Sequence, residues 1–342
     1  MSANLRLQAD AGSVVPPAPQ VRRLDRKFLP LAVTIALFLA MALFGSSTYT
    51  GFFSLQVFLN LLIDNAFLCI VAVGMTFVIL SGGIDLSVGA VIALTTMLSA
   101  WLVEKHQWSP ALVIPLVLGV GTLFGAAMGV LIERFRLQPF IVTLAGMFLA
   151  RGLCYVISID SISITQGFYS EVSQARIPVW GEASLSVGAL LALVLVALAV
   201  YVAHFTQFGR TVYAIGGNEQ SAVLMGLPVR STLVGVYTLS GFCSALAGVV
   251  FTFYMLSGYG LHAVGLELDA IAAVVIGGTL LSGGVGYVFG TLFGVLMLGM
   301  IQTLIMFDGS LSSWWTRIVI GALLFAFCLL QRVFEGQRKR RP

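Results

Sequence analysis

The sequence predicts an all-α fold, a polytopic transmembrane helix bundle of about ten spans with the N- and C-termini cytoplasmic. Three observations predict it. Of 342 residues, 59% are hydrophobic and 9% charged, with mean hydropathy +1.02; an average soluble domain carries about a quarter charged residues. The apolar residues run in continuous blocks of about the 20 residues that carry a helix across the hydrocarbon core, and they do not alternate as barrel strands do. Basic residues gather in segments that the predicted crossings leave on one side of the membrane. This balance excludes a disordered chain, a nucleic-acid binder and an ordinary soluble enzyme.

Residues 1–27 read as a flexible cytoplasmic tail with Pro16, Pro17 and Pro19, and Arg22, Arg23, Arg26 and Lys27 precede the first apolar block. No small-residue cleavage site follows a short apolar core, so the first span is predicted to be retained. The membrane domain is placed at 28–333, with spans near 28–45, 55–80, 86–103, 110–132, 139–158, 185–204, 232–257, 268–281, 287–306 and 313–333. A basic cytoplasmic tail, 334–342, closes the chain with Arg338, Lys339, Arg340 and Arg341. With the N-terminus inside, Glu133-Arg134-Phe135-Arg136 and the loop 205–231, carrying Arg210 and Arg230, fall in the cytoplasm. The loop 159–184, with Asp160, Glu171 and Glu182 against Arg176, falls outside. The basic tails then face anionic lipid of the bilayer. Cys69, Cys154, Cys243 and Cys328 sit in apolar runs without CxxC spacing and read as small core residues.

Several chemistries are absent. None of the three lysines, Lys27, Lys105 and Lys339, follows a glycine, so the chain has no phosphate loop, and any ATP it uses is hydrolysed by another subunit. His106, His204 and His262 lie far apart and match no zinc spacing; no metal or other cofactor is predicted. Asp64 and Asp85 do not stand in the Gly-x-Gly-Asp signature of an intramembrane aspartyl protease, and no G-x-S-x-G elbow exists.

Two features carry more information. Ser81-Gly82-Gly83-Ile84-Asp85 interrupts the apolar run between 55 and 103, and Leu80-Ser81-Gly82-Gly83 is echoed by Leu281-Ser282-Gly283-Gly284. Transporters are often repeated halves with glycine-interrupted helices, although 37 glycines also produce such echoes by coincidence. Asp85 either caps the helix that begins at Leu86-Ser87 or sets a carboxylate at a gate. In the loop 208–228, Asn218 is a good N-cap, Glu219 suits the positive end of a helix dipole, and Gly226 with Pro228 makes a stop. The result is a helix of about two turns. Its apolar Ala222, Val223, Leu224 and Met225 have no membrane to enter, which points to a protein partner, or else to a helix folded back on its own bundle.

The pattern from Ala214 to Ala222, with Gly216 and Asn218, resembles the coupling loop of ribose-type ABC sugar importer permeases. Three further stretches resemble that family in its order: 74–89, around Ser81-Gly82-Gly83-Ile84-Asp85; Ser240-Gly241 to Leu246-Ala247-Gly248; and 267–279 followed by Ser282-Gly283-Gly284-Val285-Gly286. Within it, Asp64-Asn65-Ala66-Phe67-Leu68 and 307–316 look closest to galactofuranose importer permeases. The resemblance implies a permease subunit, not an enzyme, in the bacterial inner membrane. It also implies alternating access, with a cytosolic ABC ATPase subunit, a second permease chain, a periplasmic sugar-binding protein and a monosaccharide as partners. Gly216, Gly217, Asn218, Ala222, Met225 and Gly226 would then shape the ATPase-docking helix. A neutral sugar needs hydrogen-bonding side chains that hold it weakly, and Asp64, Asn65, Gln302, Thr303 and Asp308 are the path candidates, with Trp314 and Trp315 near the outer rim. Each has a structural alternative as a cap, an interhelical bond or an interfacial anchor. The rival from another class is an ion-gradient-driven secondary transporter using Asp64 or Asp85.

Overall fold

The computed structural model describes residues 29–310, 312 and 314–339. The predicted tail 1–27 and the closing Arg340 and Arg341 lie outside the described residues. In order, the helices are α1 (Leu29–Thr48), α2 (Leu55–Asp64), α3 (Ala66–Leu80), α4 (Val88–Ala100), α5 (Pro110–Phe135) and α6 (Pro139–Ile157). They continue as α7 (Gly167–Gln174), α8 (Val187–Phe205), α9 (Gln207–Gly217), α10 (Glu219–Leu224), α11 (Val229–Met255), α12 (Leu266–Ile276), α13 (Val288–Asp308) and α14 (Trp314–Lys339). Four short strands, β1 (Ile162–Ser163), β2 (Arg176–Trp180), β3 (Ala183–Ser186) and β4 (Ser257–Gly258), form two antiparallel pairs, β1 with β4 and β2 with β3.

The chain is an all-α polytopic membrane bundle. Among the described residues seven helices are long and apolar enough to cross a bilayer, and α2 with α3, bent by 59°, makes an eighth. The predicted spans near 268–281 and 313–333 correspond to shorter apolar helices: α12 has 11 residues, and the apolar part of α14 is Trp314–Leu329. Local chemistry sets the helix starts. Pro110 and Pro139 occupy first turns, where the missing N–H costs nothing, and Ser54, Ser109 and Ser186 accept from backbone N–H groups of the turns they cap.

Lipid exposure and packing divide the helices. The most apolar stretches of α5, α6 and α8 are each 28% buried, against 78% for α4 with the π-helical turn Trp101–Lys105, so the former lie at the outside of this chain's bundle and the latter in its interior. In α3 all residues but Phe67 are buried. Because lipid tails are as apolar as leucine, close van der Waals contact rather than water exclusion holds such helices together. Gly121, Gly125 and Gly129 supply it on α5: a Cβ on Gly125 would come within 2.9 Å of Gly241 Cα on α11. Between α3 and α13, the Thr76 and Thr291 hydroxyls share a hydrogen bond of 2.7 Å.

The two breaks are where backbone groups leave the helical ladder and need other partners. At the first, Asn65 donates from Nδ2 to Leu61 O at 2.9 Å, and the amide fills a notch opposite Gly299 of α13. At the end of α12, the Thr34 hydroxyl of α1 donates to Ile276 O.

Candidate functional site

The glycine-rich segments 81–87 and 277–287, which end α3 and α12, meet at one end of the bundle. Gly284 N donates to Leu80 O at 2.9 Å. Gly82 and Gly283 both have φ in the left-handed region, +85° and +83°, and a Cβ on Gly283 would lie 2.9 Å from Gly82 N. Only glycine combines that torsion with that approach. The two echoed motifs of the sequence are thus in direct main-chain contact.

Helix α9 closes this junction from the side. A Cβ on Gly216 would fall onto Leu80 O and Gly284 N, whereas one on Gly217 would meet nothing. Tyr213 donates its hydroxyl to Gly286 O at 2.8 Å, and burial pushes that hydroxyl up to about 12, so it stays a donor at any ordinary pH. Asn218 then ends α9 and caps α10, accepting from Ser221 N at 2.8 Å. Gly226, at φ +73°, turns the chain out, as the sequence predicts. Arg136 to Glu219 at 3.0 Å and Arg230 to Glu133 at 3.3 Å tie the α5–α6 turn to this end of α10 and α11.

One expectation is corrected here. Ala222 is not part of an exposed apolar face: it is 0% exposed, packed with Ile215 and Val229 in the subunit's own small cluster. The 3.6-residue period turns it inward, so Val223, Leu224 and Met225, at 54, 88 and 67% exposure, form the outward apolar surface. The helix does both things that the sequence left as alternatives, folding back through one residue and presenting the next three.

Asp85, in the segment 81–87, is buried against α11. Its Oδ1 accepts from Ser87 N at 2.9 Å and from Ser87 Oγ at 2.6 Å, and Oδ2 accepts from Ser240 Oγ at 2.7 Å. It therefore organises the turn ahead of α4, where Ser87 is the N-cap residue, and fastens that turn to α11. Beside it the Tyr237 hydroxyl, buried and without a hydrogen-bond partner among the described residues, sits over Gly83. With both carboxylate oxygens held by donors, Asp85 is bound as a structural acceptor.

The path candidates fall into separate places. Asp64 lines a cavity of about 300 Å³ with Gln56, Asn60, Arg176 and Tyr254, whose hydroxyl bonds the Asp64 carboxylate. Asn65 is buried in the α2–α3 break instead. Gln302 lines a second cavity, about 710 Å³, with Asp269, Trp314, Thr316 and Arg317, between α12, α13 and α14. Thr303 is half-buried and lines neither cavity. Asp308 ends α13, accepting from Tyr49 OH at 3.2 Å and from Ser310 N at 3.2 Å, and so ties the α1 and α13 exits together. Asp269 and Arg317 were missed in the sequence, although the rule that singled out Asp64, a carboxylate in an apolar segment, also singles out Asp269. Among the described residues no group of three or more potential metal ligands assembles.

A bundle of apolar helices around two glycine-broken segments, with α9 packed on their junction and the capped apolar α10 following it, is built as a membrane permease, not as an enzyme. Residues 57–328 match the family described as branched-chain amino acid transport system / permease component, and the chain belongs to it. It is similar to the inner membrane ABC transporter permease protein YjfF of Escherichia coli (strain K12), at 54% identity over 90% of this chain and 93% of that one. It is also similar to the fructose import permease protein FruG of Bifidobacterium longum (strain NCC 2705), at 42% over 91% and 92%, and to the ribose import permease protein RbsC of E. coli (strain K12), at 36% over 86% and 91%. No solved structure matches it significantly. The chain is accordingly the permease subunit of an ABC transporter of the ribose-type family and a multi-pass inner-membrane protein, and ATP hydrolysis belongs to a separate subunit.

Proposed function

We propose that this permease imports a monosaccharide, galactofuranose or a related pentose or hexose, by alternating access driven by a cytosolic ATPase. The observation that carries the reading is the outward apolar surface Val223 to Met225 at the end of α10, which Asn218 joins directly to α9, the helix packed on the junction of both broken segments. ATPase movement delivered there reaches α3 and α12 together. ATP must stabilise one arrangement of the bundle over the other for transport to follow. In this reading the ten crossings comprise the eight full-length ones plus α12 and α14, the α9–α10 end is cytoplasmic, and 1–27 and 334–342 are cytoplasmic tails around the membrane domain 28–333. A second permease chain, identical or not, completes the path, and a periplasmic binding protein delivers the sugar. Preference for galactofuranose rests on the resemblance of 64–68 and 307–316; relatives are named for fructose and ribose. Family membership and the donors that occupy Asp85 speak against the ion-gradient alternative.

The test is purification of the tagged chain from membranes together with its ATPase subunit, followed by ATP-dependent uptake of labelled galactofuranose, ribose and fructose into liposomes supplied with the periplasmic sugar-binding protein. Uptake of one of them that stops without ATP is expected. Absence of an ATPase partner, or uptake driven by an ion gradient alone, would refute the reading.

A further inference from the structure

The cavity between α12, α13 and α14 differs from the one at Asp64 in a way that decides its use. At Asp64 the polar groups are already engaged: Gln56 donates to Asn60 at 2.7 Å and accepts from Ser184 N at 2.9 Å, and Arg176 donates to Ser173 O at 2.9 Å. In the larger cavity Asp269, Arg317, Gln302 and Thr316 make, among the described residues, no side-chain hydrogen bond and close no ion pair. Asp269 and Arg317 nevertheless feel each other's charge across the space. Opposite charges held facing but unjoined at the edge of a low-dielectric bundle are costly unless something bridges them.

We propose that this cavity is a carbohydrate-binding site in which Asp269 and Arg317 bind adjacent hydroxyls of a monosaccharide and Trp314 lies against its C–H face. A hydroxyl both donates and accepts, so neighbouring hydroxyls bridge an acceptor-only carboxylate and a donor-only guanidinium. The two charges cancel, which favours a neutral polyol over an anion or a cation. Glu267, two residues before Asp269, feels Asp269 as well as Arg151 of α6, and forms an ion pair with neither Arg151 nor Arg317 among the described residues. Gln302 adds an amide, and Trp314, 76% exposed, stands at the rim. The volume of about 710 Å³ holds one sugar with water, within the about 300–1,000 Å³ usual for small-ligand sites. The open rim keeps binding weak enough for release. Asp269 lies in the first turn of α12, and the far end of that 11-residue helix enters the glycine junction, so site and junction share one short helix.

The site rests on the monosaccharide-import reading, and the experiment separates the two. The complete complex with its ATPase and sugar-binding protein is reconstituted, and uptake of galactofuranose, ribose and fructose is measured for wild type, Asp269→Asn, Arg317→Gln, Trp314→Ala and, as a control in the other cavity, Gln56→Ala. Asp269→Asn and Arg317→Gln are expected to raise the half-saturation concentration about tenfold, the scale of losing one hydrogen bond to a charged group, Trp314→Ala to raise it through loss of the contact with the sugar's C–H face, and all three to alter the ranking of the sugars. Maximal rate and ATPase association should stay near wild type, and Gln56→Ala should leave half-saturation unchanged. Trp314→Ala, at an exposed position, carries the test if Asp269→Asn does not reach the membrane. Wild-type uptake with half-saturation and ranking unmoved in the cavity variants overturns the site alone. A wild type that carries none of the three sugars overturns the import reading and the site with it.

Discussion

Gly216 and Gly217 are adjacent, both end α9, and differ in one respect: the first has no room for a methyl group and the second has open space. Gly216→Ala would press a Cβ onto Leu80 O and Gly284 N and part the 2.9 Å bond between them. Overpacking of this kind costs about 1–3 kcal/mol, and a lost main-chain hydrogen bond adds about 1 kcal/mol. The sum, about 2–4 kcal/mol, is less than the about 5–15 kcal/mol that holds a typical fold together, so the chain is expected to reach the membrane with a weakened junction. Gly217→Ala has no such term and gains a few tenths of a kcal/mol at most from helix propensity at a terminal position. The assay is thermal denaturation of the purified complex beside ATP-driven uptake in liposomes. Gly216→Ala is expected to lower the melting temperature and to cut uptake at least tenfold while the ATPase remains bound; Gly217→Ala should match wild type in both. Two variants indistinguishable from each other would refute the claim that the junction is tight and that transport passes through it.

Three other expectations follow from the same geometry. Leu224→Asp, at an 88% exposed position, should leave membrane abundance intact and abolish ATPase association, since burying a leucine contributes about 1.5–3 kcal/mol; Ala222→Asp should instead remove the chain from the membrane by placing an unpaired charge in the Ile215–Val229 cluster, and a Leu224→Asp variant that still co-purifies with the ATPase would contradict the docking face. Asp85→Ala strands three donors, each costing about 1–3 kcal/mol, and should lower abundance, whereas Asp85→Asn keeps an acceptor for Ser87 and should transport; an Asp85→Asn protein that is present in the membrane but inactive would show that the charge itself is needed. His262, in the α11–α12 loop, has its ionisation pushed below the ordinary 6.5 by burial and then by the Arg151 guanidinium. Above that value folded and unfolded forms are both neutral; as pH falls below it the unfolded chain protonates first, so thermal stability should decline until the lower folded-state value is passed, and His262→Gln should flatten that decline in a melting series from pH 7 to 5.

Much of this architecture was legible because bilayer thickness is a strict ruler. The predicted spans at 110–132, 139–158 and 185–204 fall on α5, α6 and α8 within a few residues, since continuous apolar length leaves little choice. The kink at Asn65 was not legible, as it depends on a notch opposite Gly299, more than two hundred residues away. The capped α10 was read from Asn218 and Gly226, but the inward turn of Ala222 required knowing where Ile215 and Val229 stand. The Gly121, Gly125 and Gly129 ladder stood at a four-residue spacing that marks close helix approach and could have been used. Asp64 and Gln302 were grouped by chemistry, and the fold sets them in different cavities, because hydropathy places residues by depth and not around the bundle.

The contact among Leu80, Gly216, Gly283 and Gly284 is made of main chain alone. Side-chain contacts between helices have compliance: a rotamer hop takes up a small displacement before the neighbouring backbone moves. This joint has no torsion of that kind. A shift of α9 is met by stiff peptide planes on α3 and on the segment after α12, and it either carries both along or breaks the Gly284–Leu80 bond outright. In the proposed coupling, a shift of α9 would therefore reach both segments with no side-chain rotamer to absorb it.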